Sequence, residues 1–60
     1  MLEPKEIEKA VAKLDEPPEH YHYLEKNLFW ALQTIWQKYK SGKISKEQAS
    51  KLKLQAVREY

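Results

Sequence analysis

The sequence predicts an all-α fold: a small three-helix domain with a long central helix and a C-terminal helix-turn-helix hairpin. Three observations carry that prediction. Apolar residues recur at helical spacing along most of the 60 residues. β-branched residues are scarce and the only glycine is Gly42, which argues against a sheet. Two short stretches, "DEPPE" at 15–19 and "YKSGKISKEQ" at 39–48, read as punctuation between helices.

The first helix is expected over about residues 4–15. Pro4 suits a first helical position, and Glu3, Glu6 and Glu8 complement the positive end of the helix dipole. Ile7, Val11 and Leu14 make one apolar face. Pro17 and Pro18 stop the helix, and Pro17 pushes Glu16 out of the α region. A short loop there would make the first two helices antiparallel neighbours.

The central helix is expected over about 18–41. Tyr21, Leu24, Leu28, Ala31, Leu32, Ile35 and Tyr39 follow the 3.6-residue period and form the main core stripe. Tyr23 and Trp30 fall on one flank and Phe29 and Trp36 on the other. The apolar surface therefore wraps more than half of the helix and needs cover on most sides. Tyr23, Phe29, Trp30 and Trp36 are the candidate partner-binding residues, because aromatic side chains anchor interfaces with a large area and, for Trp and Tyr, a polar tip.

Gly42 stands where a left-handed helix terminator belongs, with Lys38 and Lys40 in the preceding turn. Ser45 and Gln48 have the spacing of a capping box, which starts the third helix at about 46 and carries it to 59. Ala49, Leu52, Ala56 and Tyr60 share its apolar face.

Charge is uneven. Residues 1–25 hold seven acids against three lysines, net −4; residues 26–60 hold eight bases against two acids, net +6. Lys38, Lys40, Lys43, Lys46, Lys51, Lys53 and Arg58 form a basic patch around the hinge and along the third helix. Such a patch could neutralise phosphates, and the second helix of a DNA-reading motif would sit here. Base readout favours Arg, Asn or Gln near the start of that helix, where only Gln48 and Gln55 are available. The alternatives are a solvated lysine face, an acidic protein partner, or pairing of the acidic first helix with the basic third, within one molecule or between two.

Other chemistry is excluded or unsupported. With 42% hydrophobic and 33% charged residues the chain is too apolar to be disordered. Cysteine is absent, so there are no disulfides and no thiolate metal sites. His20 and His22 are two apart and point to nearly opposite sides of a helix, whereas helical metal pairs use spacings of three or four. They read as two partly exposed histidines in the first turn of the central helix. No catalytic constellation is visible, so neither enzyme activity nor a cofactor is expected. "LEPKEIEK" after Met1 is charged from the start and no apolar run is long enough to span a bilayer, so a cytoplasmic location without membrane contact is expected. A 60-residue domain buries only about 60% of its unfolded surface; with no disulfide, oligomerisation or partner binding is expected to supplement its stability.

Residues 36–60, "WQKYKSGKISKEQASKLKLQAVREY", resemble the short C-terminal helical hairpins called SHOCT domains. Tyr39, Gly42, Ile44, Ser45, Glu47 and Lys51 or Lys53 occupy the positions of that pattern; Ala49 departs from it, standing where a large apolar residue is usual. The same run, as Y-x-x-G-x-I-S-x-E-x-A, is similar to small proteins of phages and prophages of Gram-positive bacteria. The resemblance implies an assembly or protein-contact role, such as a phage-encoded modulator or inhibitor of a host protein, and no chemistry. The expected function is thus a protein-binding or self-associating helical module, with a nucleic-acid-binding helix-turn-helix as the alternative.

Overall fold

The computed structural model describes residues 1–60. It contains three helices and no strand: α1 (Pro4–Lys13), α2 (Tyr23–Lys40) and α3 (Lys46–Glu59). The all-α, three-helix architecture expected from the periodicity is the one observed, with α2 as its longest element.

Local signals explain most boundaries. Pro4 occupies the first turn of α1, and Leu14 ends the helix by turning extended, with φ −122° and ψ 149°. That is two residues short of the expected end. α2 starts at Tyr23 rather than Pro18, because Pro18 opens a turn in which its carbonyl accepts from the Tyr21 amide at 3.1 Å. His22 is the residue that caps α2: its Nδ1 accepts from the Leu24 amide at 3.2 Å. The two histidines therefore precede the helix instead of filling its first turn. His20 packs edge-on against the Tyr21 ring at 5.2 Å.

The expected hinge is formed by a Schellman arrangement. Gly42 takes φ +78°, the Lys43 amide donates to the Lys38 carbonyl at 2.9 Å, and the Gly42 amide donates to Tyr39 at 3.1 Å. On the far side, Ser45 and Gln48 exchange the two bonds of a capping box, at 2.9 and 3.1 Å. α3 then runs back along α2, so that Ala56 and Tyr60 lie near Leu24 and Leu28.

α1 does not run antiparallel to α2, as a short loop would have required. The Leu2 amide reaches the Glu25 carboxylate at the start of α2, while Val11 and Ala12 lie beside Leu32, Ile35 and Trp36. Both helices therefore ascend in the same sense, and residues 14–22 form the return strap. A strap that long is needed because the chain must travel back along the whole of α1 before α2 begins.

The core sits where α1 lies on α2. Ile7, Val11, Tyr21, Leu28, Phe29 and Leu32 are buried, with Leu2, Ala10, Ala56 and Tyr60 packed against them. Ile7 and Phe29 are wholly enclosed, and burial of a side chain of that size contributes about 1.5–3 kcal/mol. The Cα trace measures 32 × 23 × 14 Å. Helices pack with axes about 8–10 Å apart, so the thinnest dimension holds two layers and one face of α2 stays bare.

A closed end and an open end

All seven buried residues lie between Ile7 and Leu32. From Gln33 to Tyr60 no residue is buried, and α3 contributes none. The cause is a mismatch of length: α1 has 10 residues and α2 has 18, which at 1.5 Å per residue leaves α1 about 12 Å shorter. The core stripe of α2 continues past the point where its cover stops.

Glu25 closes the lower end. It is the one buried charged residue. Its carboxylate accepts from the His22 amide at 2.7 Å and from the Leu2 amide at 2.6 Å, and Tyr60 Oη donates to the Leu2 carbonyl at 2.7 Å. One acidic side chain thus caps α2 and ties it to the residues before α1, and Leu2 in turn is tied to the α3 terminus by Tyr60. These two amides hold the Glu25 carboxyl below the usual carboxylate range. Burial, followed by the nearby negative charge of Glu25, pushes the Tyr60 phenol up.

Candidate protein-contact surface

At the open end the three helices enclose a groove of about 250 Å³. α1 supplies one wall with Val11 and Ala12, α3 supplies the other with Ala49 and Ser50, and α2 makes the floor with Leu32, Ile35, Trp36 and Tyr39. The two walls and the floor come from three stretches far apart in sequence, so helical periodicity points to Trp36 but not to the groove.

Trp36, on a flank of α2, and Tyr39, on its core stripe, remain 41% and 38% exposed. Their rings stand 6.2 Å apart, and Lys40 Nζ lies 5.5 Å from the Trp36 ring centroid, in cation–π range. Tyr39 was expected inside the core; it is exposed because α1 stops short of it. Phe29 was expected among the partner-binding aromatics, and this is corrected by its complete burial: α1 and the strap cover that flank of α2. Tyr23 and Trp30 share the uncovered outer face, 66% and 46% exposed, with Trp30 meeting Phe29 edge-on at 5.7 Å. The candidate aromatics therefore separate into a core residue, an outer pair and a groove residue.

The basic patch divides in the same way. Lys38, Lys40, Lys43, Lys46, Lys51 and Arg58 are exposed. Lys53 is half-buried and pairs with Glu8 across the groove at 2.8 Å, the intramolecular acid-to-base contact between first and third helices that the charge layout suggested. An exposed pair of this kind is worth about 0–1 kcal/mol, enough to bias the position of α3 and too little to hold it. Gln48 spends its side-chain carbonyl on the Ser45 amide, which reduces what the start of α3 could offer to a base edge.

No helix is long and apolar enough to cross a membrane. No family model, no curated protein and no solved structure matches the chain.

Proposed function

We propose that the chain is a protein-binding module whose contact surface is the open end of the α2–α3 hairpin. The observation that carries this reading is the uncovered continuation of the core stripe: Ile35, Trp36 and Tyr39 line a groove above which no residue of the chain lies buried. A partner that fills the groove extends the existing core, and the affinity comes from burying Trp36 and Tyr39, each an aromatic of the type whose truncation at an interface costs about 2 kcal/mol or more. The exposed lysines at the rim steer and orient the approach more than they add affinity. The resemblance of residues 36–60 to phage hairpins implies an assembly or protein-contact role, with a host protein or a second copy of the chain as the partner.

The nucleic-acid alternative draws on the same lysines, but α2 and α3 lie side by side as an antiparallel hairpin, whereas DNA-reading helix pairs cross at about 90–120°. The two readings are separated by placing a photo-crosslinking phenylalanine analogue at position 36, with position 37 on the outer face of α2 as control, in cells of the source organism. A protein adduct formed from position 36 and not from 37 is expected. Adducts that nuclease digests, or no preference between the two positions, would overturn the reading.

A further inference from the structure

We propose that the occupant of the groove is a second copy of this chain, related by a two-fold axis beside Trp36; this rests on the protein-contact reading above. The argument begins with charges that find no partner inside one molecule. Glu8 and Lys53 form the one ion pair in the structure. Asp15, Glu16 and Glu19, all exposed, are left unpaired on the strap, and Lys38, Lys40, Lys43 and Lys46 are left unpaired around the hinge.

Asp15 and Glu16 follow the α1 side of the groove, and Lys46 lies in its α3 side. The α1 wall, ending at Ala12, leads within four residues to Asp15 and Glu16; the α3 wall begins at Lys46. A surface with one acidic edge and one basic edge is complementary to its own image after a half-turn, since rotation sets each acidic edge on the opposing basic edge. Contacts of that kind are isologous and are made twice, so the assembly closes at two subunits and does not grow into a filament.

The acidic edge also carries the apolar group that the groove lacks. Leu14, 43% exposed, directly precedes Asp15 and Glu16 and is the chain's own example of an apolar anchor with an acidic flank. A standard interface takes about 800 Å² from each partner, roughly a sixth of the 4724 Å² surface of this chain. Leu14 follows the α1 wall of the groove by two residues and Lys46 lines its α3 wall, so both charged edges adjoin the groove.

The test is sedimentation equilibrium of the full chain over a dilution series, at low and high salt, for wild type, Lys46→Glu, the pair Asp15→Lys with Glu16→Lys, and all three substitutions together. The reversals suit the fold: a glutamate at the first position of α3 and lysines after the end of α1 both complement the helix dipoles. The expected result is a dimer weakened at least about tenfold by either reversal, weakened by salt, and recovered when the reversals are combined. Should circular dichroism show lost helicity for Lys46→Glu, Lys43→Glu in the turn takes its place. A monomer throughout, or a dimer indifferent to the reversals, would overturn the proposal. A monomer that still gives a position-36 adduct with a different protein would leave the protein-contact reading standing with another occupant.

Discussion

Glu25 joins two parts of the chain by accepting one hydrogen bond on each carboxylate oxygen, from the Leu2 and His22 amides, and its ionisation state sets how well it does so. The amides of Leu2 and His22 favour the carboxylate over the acid, so the folded-state value lies below the ordinary 4.5. A depressed value means that the unfolded chain takes up the proton first as pH falls. The stabilisation from Glu25 is therefore complete above about pH 4.5 and drains away as pH drops through the lower folded value. In thermal melts across pH 3 to 7, the difference in Tm between wild type and Glu25→Gln should be constant at the neutral end and shrink on the acid side; a difference independent of pH would contradict this role. Glu25 was not legible in the sequence, because histidine is an unusual helix cap and the second hydrogen-bond donor, Leu2, is 23 residues away. Phe29 was misassigned for a related reason: the period placed it on a flank, and only the path of α1 decides which flank is covered.

The hinge between α2 and α3 follows the sequence expectation, whereas the start of α2, set by a proline turn and a histidine cap, and the sense of α1, set by the distant Leu2–Glu25 contact, do not. The hinge between α2 and α3 depends on residues 38–48 alone, and its glycine, hydrogen bonds and capping box all follow from that stretch. Gly42 has no atom within 4 Å of where a Cβ would stand, so replacing it tests backbone conformation without a clash. Gly42→Ala should cost about 1–2 kcal/mol from the left-handed conformation, with a smaller loss for Gly42→Asn, whose side chain tolerates that region. Chemical denaturation of both variants checks it, and equal stability of Gly42→Ala and wild type would contradict the account. The start of α2 depends on a capping box led by His22, an unusual cap, and the sense of α1 on the Leu2–Glu25 contact and on a strap that reads as an ordinary loop. Its Pro-Pro pair marks a helix stop clearly and says nothing about which way the next helix runs.

At the scale of the whole molecule the chain is a closed core with an open-ended hairpin attached. Ten residues of α1 cover the lower part of α2 and leave the upper part to solvent, so the aromatic excess of the central helix, visible in the sequence, is resolved by its own fold only in part. Tyr23 and Trp30 stay on the bare outer face, and Trp36 with Tyr39 stay in the groove. α3 is held by its capping box, one exposed ion pair, the Tyr60 hydrogen bond and half-buried apolar contacts. Stability should therefore be graded along the molecule, since segments with few buried apolar contacts open locally at a lower free energy than the core.

Hydrogen exchange followed residue by residue, on the full chain at high dilution, measures that gradient most directly. The account predicts that amides of α2 around Leu28 to Leu32 exchange only on global unfolding. Those of α3 from Lys51 to Val57 should exchange at least about 100-fold faster through local opening, and gain protection when the groove is filled. Uniform protection from Leu28 through Val57 in the dilute chain would contradict it, because the hairpin would then be complete without a partner.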